Sequence, residues 1–270
     1  MNAVYVIGDV HGQLDKLRDL LSVAELIDAD DSWTGADSTL WLMGDLVDDG
    51  PDGIAVVDLV MALQEQAGSA RGRVRVLLGN HDFLLLAAYR IGDARSPGSG
   101  QTFRQIWEES GGVPADLARM TPRHARWFME LPVMAHASDH LLVHADALFY
   151  TRFGRSIEDV NQAVAALLQS DEPAGWDRLR EGFDEHNAFT DAIDGTAQAE
   201  AFLAHFGGEQ IVHGHTPITK ITGQPPEAVR EPLLYAADRC IDVDPGMYLG
   251  GPGFVYRLEP TRPPCPAPSG

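Results

Sequence analysis

The chain has 270 residues, 44% of them hydrophobic, enough to bury the core of one large α/β domain or two small ones. Its 40 acidic residues against 20 basic ones give a net charge of −20, a surface that repels nucleic-acid phosphates and disfavours broad polyanion binding. It has no apolar stretch long enough to cross a bilayer, no basic segment ahead of an apolar block near residue 1, and only Cys240 and Cys265 as cysteines, so a cytoplasmic setting without a structural disulfide is the default expectation.

In chain order, residues 3–8 read as a buried strand. Residues 13–26 place Leu14, Leu17, Leu20, Leu21 and Ala24 at a helical period. The acidic stretch 28–37 lacks the ligand spacing of an EF-hand and reads as a solvated loop. A second strand covers 39–43, and Pro51 opens a helix that runs to about residue 66. A third strand, 74–78, leads into a helix over 83–89. Strands alternating with helices imply parallel pairing.

Residues 92–102 are rich in Gly, Ser and Pro and are expected to form a mobile loop. Three short helices should follow near 101–110, 114–119 and 122–130, with Trp107, Leu117, Trp127, Phe128 and Leu131 on their apolar face. Residues 132–135 and 140–143 read as a hairpin, with His136 and His140 at the surface. Residues 147–195 look like an insertion, its first helix capped by Ser156 and ending near 168. An amphipathic helix covers 196–206. Strands are expected near 209–213, 217–222, 232–236, 239–243 and 253–257, pairing mostly antiparallel in a second sheet because no helix separates them. The expected organisation is one domain over 1–260, with a helical insertion near 147–195, and a disordered Pro-rich tail over 261–270.

Five of these strands end in the same way. At 77–82, Leu-Leu-Gly-Asn-His-Asp, an apolar run stops at a glycine and delivers an amide, an imidazole and a carboxylate. That is the end of the strand where open α/β sheets place ligands. Val-Ile-Gly-Asp-Val-His-Gly at 6–12 and Leu-Trp-Leu-Met-Gly-Asp-Leu-Val-Asp at 40–48 repeat the design. Leu-Leu-Val-His-Ala-Asp at 141–146 and Ile-Val-His-Gly-His-Thr at 211–216 end two further runs with histidines. One such end is explained equally well by helix capping. Five together supply the carboxylate, amide and imidazole ligands that divalent metals take.

In that order, GDVHG, GDLVDDG, GNHD, HAD and HGHT resemble the motifs of the calcineurin-like metallophosphoesterases. Within them, the chain is most similar to the phosphoprotein phosphatase superfamily, with its bacterial and phage protein phosphatases and symmetrical dinucleoside tetraphosphatases. Residues 240–251 resemble the family's closing strand and turn. The resemblance implies an α/β fold, a four-layer α/β/β/α sandwich of two mixed sheets flanked by helices. It also implies two divalent ions, Mn2+ first and Fe or Zn as alternatives. Asp9, His11 and Asp45 would hold one ion, and Asp45, Asn80, His144 and His215 the other, with Asp45 as the bridge. A hydroxide shared by the ions would attack phosphorus, while His81, held and kept charged by Asp48, protonates the leaving oxygen. His213 stays open between ligand and orienting residue.

One departure stands out. The family usually reads VDRG where residues 47–50 read Val-Asp-Asp-Gly, so Asp49 replaces an arginine that clamps phosphate. Arg178 resembles another phosphate contact of the family, with Arg152 and Arg155 as alternatives, and Asp146 stands where many relatives have glycine. The activity implied is hydrolysis of phosphate monoesters on a phosphorylated partner, protein (Ser/Thr) or nucleotide, with no nucleic-acid polymer and no membrane. A dinucleoside polyphosphate hydrolase would share every metal ligand. A protein that holds metal and phospho-ligand without turnover is the reading from another class.

Overall fold

A computed structural model of the chain describes residues 2–260; the expected tail and Cys265 lie outside the described residues. Strand β1 (Val4–Ile7) leads to helix α1 (Leu14–Val23), β2 (Thr39–Leu42) to α2 (Gly53–Ser69), and β3 (Arg73–Val76) to α3 (Asn80–Ile91). The three strands pair in parallel, with Ile7 opposite Leu42 and Leu42 opposite Val76. Parallel pairing in that register brings all three carboxyl ends to one edge of the sheet, and their turns with them.

Helices α4 (Phe103–Glu109), α5 (Pro114–Arg119) and α6 (Pro122–Glu130) follow. Thr102 and Thr121 cap the first and third by accepting from the main-chain N–H three residues on. The hairpin of β4 (Met134–Ala137) and β5 (His140–Val143) starts the second sheet. The insertion contributes α7 (Ile157–Gln169) and α8 (Pro173–Phe183), and α9 (Gly195–Phe206) returns the chain to β6 (Gln210–His213). Helix α10 (Ile218–Thr222), then β7 (Leu233–Tyr235), β8 (Cys240–Asp242) and β9 (Tyr256–Arg257) complete the described fold.

The sheet orders are β3-β2-β1-β9 and β4-β5-β6-β8-β7. Side-chain alternation divides each strand between two cores. Val6, Trp41, Leu142, Val212 and Ile241 meet between the sheets. Their neighbours Ile7, Leu42, Leu141, Ile211 and Cys240 face the larger core under the helices. Each fully buried aliphatic side chain contributes about 1.5–3 kcal/mol. Helix, sheet, sheet and helix therefore stack as four layers.

Four expectations need correction. Residues 217–222 are not a strand: Pro217 cannot donate to a ladder, and Gly223, at φ 72°, closes a short helix. The late strands are not mostly antiparallel, since β6 pairs in parallel with both β5 and β8, and β9 crosses to the first sheet beside β1. The loop at 92–102 is stitched down rather than loose: Ser96 Oγ and the Gly98 N–H both donate to the Asp177 carboxylate at 2.7 Å. His140 is buried, its Nδ1 3.2 Å from Asp139 Oδ1, whereas His136 is exposed.

Candidate active site

The strand-end turns are held in conformations that L-residues rarely take. His11, Asp45, Asp48 and His215 all have positive φ, at 46°, 49°, 66° and 70°. Asp82 fixes the central turn. Its buried carboxylate accepts from the N–H groups of Asp45 and Leu46 at 2.9 Å and of Gly79 at 3.0 Å. A Cβ on Gly79 would sit 2.1 Å from Asp45 Oδ1, and one on Gly214 would sit 2.0 Å from Asp9 Oδ1. The two glycines let neighbouring turns approach a carboxylate that a side chain would displace.

Asp45 lies at the centre. Its Oδ2 is 3.7 Å from His11 Nε2 and 3.4 Å from His144 Nε2. It is shared by two groups whose ligand atoms lie within 4.8 Å of one another: His11, Asp45 and His81, and Asp45, His144 and His215. Burial opposes its charge, but His144, His81 and His11 outweigh that and hold its carboxyl far below the usual range. Burial and the charge of His81 push His11 down to about 3, and burial with His144 lowers His215 strongly. These imidazoles are neutral, the form that ligates metal.

Second contacts choose the tautomers. His11 Nδ1 donates to the Val47 carbonyl at 3.2 Å, and His144 Nδ1 donates to the Met43 carbonyl at 2.9 Å. Nε2 is thus the ring atom that each turns toward Asp45. His144 Nε2 and His215 Nδ1 both converge on Asn80 Oδ1, at 2.9 and 2.8 Å. Acceptors this close repel unless a proton or a cation lies between them. Asp9 accepts from the His215 N–H at 3.0 Å through Oδ2, but its buried Oδ1 has no partner among the described residues. Burial and the charges of Asp244 and Asp45 push its carboxyl well up. Asp9 is not in either compact group, yet a second cationic centre there would relieve it. The donor set fits divalent metal.

His81 stands beside these ligands. Its Nδ1 is 3.4 Å from Asp48 Oδ2, and its main-chain N–H donates to Asp45 Oδ1 at 2.8 Å. Burial disfavours its charge, but Asp45, Asp48 and Asp49 prevail and raise it to about 9. Asp48 is in turn held by Trp107, whose indole N–H is shared between its two oxygens at 2.9 and 3.1 Å.

A cleft of about 300 Å3 opens over His11, Asp45, Asn80 and His81. Its outer wall includes Phe183 and His186 from the insertion, with Lys220 and Tyr248 from the closing segments. The Tyr248 ring centre is 4.6 Å from that of His11. Asp146 ties insertion to frame, accepting from the Asn187 N–H at 2.7 Å and from Thr216 Oγ1 at 2.6 Å. Sequence reasoning missed Lys220, His186, Tyr248 and Trp107. Only Lys220 carried a signal, four residues beyond the His215 motif and one of two lysines in the chain.

Two open positions are placed, His213 and Asp49, and the expected role of Arg178 changes. His213 turns away from Asp45: its Nδ1 donates to the Gly214 carbonyl at 2.9 Å, and Tyr235 Oη donates to its Nε2 at 2.7 Å. Arg178 does not line the cleft. It is exposed on α8 beside a different groove shared with Arg152 and Ser170, because Trp176 and Asp177 take the inward positions. Arg152 pairs with Glu185. Asp49 packs against Gly111 with its Oδ2 3.7 Å from His11 Nδ1, rather than lining the cleft.

The calcineurin-like phosphoesterase family matches residues 3–219, a span that contains all five strand-end motifs. A symmetrical bis(5'-nucleosyl)-tetraphosphatase of Bordetella parapertussis is 30% identical over 185 residues, 64% of this chain and 58% of its own length. The chain thus spans little more than half of that relative. Shewanella-like protein phosphatase 2 of Arabidopsis thaliana is 35% identical over 78 residues, 29% of this chain and 20% of its own. The crystal structure of a cold-active protein-tyrosine phosphatase from a psychrophilic Shewanella species shares the fold, with a TM-score of 0.73 at 22% identity over 96% of this chain and 76% of that one. A family match over most of the chain, laid on this arrangement of strand-end carboxylates and imidazoles, establishes that the chain belongs to the calcineurin-like phosphoesterases.

Proposed function

We propose that the chain is a two-metal phosphohydrolase of phosphate monoesters, similar in action to phosphoprotein (Ser/Thr) phosphatases. The observation that carries this reading is the Asp45 carboxylate, which lies between His11 on one side and His144 and His215 on the other. Asp9, His11 and Asp45 would hold one divalent ion, and Asp45, Asn80, His144 and His215 the other. Mn2+ is the leading candidate, with Fe and Zn compatible with the same nitrogen and oxygen donors. Such a pair supplies Lewis acidity toward water and toward the phosphoryl oxygens.

The chain's own groups do the rest. His81 is charged at neutral pH and gives its proton to the leaving oxygen as the P–O bond breaks. Asp48 keeps that imidazole charged and oriented, and Trp107 holds Asp48. The walls from 147–195 limit what reaches the cleft, within one domain over 1–260. No helix among the described residues is long and apolar enough to cross a membrane, and Cys240 is a buried free thiol, which suits a cytoplasmic setting.

A second reading, hydrolysis of dinucleoside tetraphosphates, is favoured by the Bordetella relative and uses the same ligands. The test is a turnover screen of the Mn2+-loaded protein on phosphopeptides, nucleotides and dinucleoside tetraphosphate. The first reading expects the highest kcat/KM on a phosphomonoester. Turnover confined to the dinucleotide supports the second, and no turnover with two ions bound rejects both.

A further inference from the structure

The chain's two lysines, Lys16 and Lys220, have different fates. The Lys16 ammonium donates to the Met247 and Gly251 carbonyls, each at 2.8 Å, and so pins the loop that carries Tyr248. Lys220 is exposed on the cleft wall, and its ammonium enters no ion pair or hydrogen bond among the described residues.

Its backbone is nonetheless fixed to the frame of the site. The N–H of His215 donates to Asp9, Thr216 Oγ1 donates to Asp146, and the Ile218 N–H donates to the Asp244 carbonyl at 3.0 Å. Ile218 is buried, and the Lys220 N–H closes the turn onto the Pro217 carbonyl at 2.7 Å. A rigid base thus presents a long, flexible ammonium-bearing side chain to the cleft.

The need for such a charge is plain from the walls. Asp45 and Asp184 line the cleft, and Asp49 packs beside it. On the walls away from the proposed ions, a phosphate dianion entering here meets like charge at Asp184 in a chain of net charge −20. Of the cleft-lining residues, Lys220 is the one lysine, and no arginine lines the cleft among the described residues. Burial raises the carboxyls of Asp49 and Asp244, and Lys220 stands close enough to both to oppose that rise to a lesser degree. Arg152 and Arg178 open onto the other groove.

We propose that Lys220 is the substrate-anchoring cation of this cleft, its ammonium donating to a non-bridging oxygen of the bound phosphate group. The inference rests on the phosphohydrolase reading and adds to it the residue that grips the anion. A lysine is a point charge on a long stem, so it accepts phosphates on differently shaped carriers where a guanidinium fork would demand one geometry.

The test is calorimetric binding of inorganic phosphate to the Mn2+-loaded full chain, a measurement that needs no turnover. Lys220→Met should weaken phosphate binding roughly tenfold or more, the loss of a charge-assisted hydrogen bond. Lys220→Arg should stay within about threefold of wild type, since it restores the charge. KM for any phosphomonoester that the wild type hydrolyses should rise in Lys220→Met in parallel with the phosphate dissociation constant. Wild-type phosphate affinity in Lys220→Met, with unchanged thermal unfolding and two ions bound, overturns the proposal, as does a wild-type protein that binds no phosphate. Should the wild type bind phosphate yet hydrolyse nothing, the hydrolase reading falls, and the binding series still decides on Lys220.

Discussion

Trp107→Phe tests how the acid of the site is supported. The indole N–H is the only described hydrogen-bond donor to Asp48 besides its ion-pair contact with His81, and the carboxylate is fully buried. A hydrogen bond to a charged group contributes about 1.5–3 kcal/mol. Phenylalanine also leaves part of the indole's space empty where the ring packs on Gly112, which adds roughly 1 kcal/mol. The expected loss of stability is therefore about 3 kcal/mol, read by urea unfolding of the metal-free protein at pH 7. The two contributions separate in a double-mutant cycle with Asp48→Ala. The hydrogen bond should appear as a coupling of about 1.5–3 kcal/mol, and the packing loss as what remains. The pH profile gives an independent readout. Burial already raises the Asp48 carboxyl, and loss of the N–H raises it further. A less charged Asp48 supports the His81 imidazolium less well, so His81 falls from about 9. Activity needs His81 protonated, so the alkaline limb should move to lower pH. Coupling below about 0.5 kcal/mol, together with an unmoved alkaline limb, would refute the idea that Trp107 acts through Asp48.

His81→Asn should keep its metal and slow turnover roughly 10²–10⁴-fold, with a smaller loss on aryl phosphates, whose leaving groups need little protonation; equal losses on aryl and alkyl phosphates would remove the proton-donor role. Asp45→Asn should weaken both ions, whereas His215→Ala should empty mainly one, and metal analysis finding two tightly bound ions in Asp45→Asn would end the bridging assignment. Asp49→Asn removes a negative charge near the Lys220 ammonium without lengthening the side chain, and should tighten inorganic phosphate binding roughly twofold to fivefold at low salt. Weaker binding in that variant would mean that Asp49 supports the site through His11 instead.

Much of this arrangement was legible in the sequence because it depends on strand ends. Apolar runs that stop at Gly8, Gly44 and Gly79 announce both the strands and their turns. Once parallel pairing is inferred, Asp9, Asp45 and Asn80 must share one edge. Contacts made across long sequence separation were not legible. Nothing near Trp107 indicates that its N–H meets a carboxylate 59 residues away. The Trp-Asp-Arg string suggested a phosphate contact at Arg178, but a helix shows successive residues to different sides, and Asp177 took the inward place to anchor Ser96 and Gly98. The strand expected over 217–222 failed for a local reason, Pro217, and that failure concealed Lys220 as a wall residue.

Several of the places where the chain departs from ordinary folding rules fall where chemistry is proposed. Non-glycine residues in the left-handed region include His11, Asp45, Asp48, Asp49 and His215, all around one cleft. Buried carboxylate oxygens without hydrogen-bond partners among the described residues include Asp9 Oδ1, Asp242 Oδ2 and Asp244 Oδ2, from the ends of β1 and β8. Each such oxygen costs on the order of 1–3 kcal/mol when nothing compensates it. Burial and mutual repulsion raise all three carboxyls, Asp244 to about 7. A fold that needed only stability would replace these groups with apolar ones, as it does elsewhere along the same strands at Val6, Ile7 and Ile241. Retained here, they make the metal-free state less stable than its core would allow. A cation bound among them would then stabilise the folded chain as well as equip it for phosphoryl chemistry, because relief of that repulsion appears in both the binding and the folding equilibria.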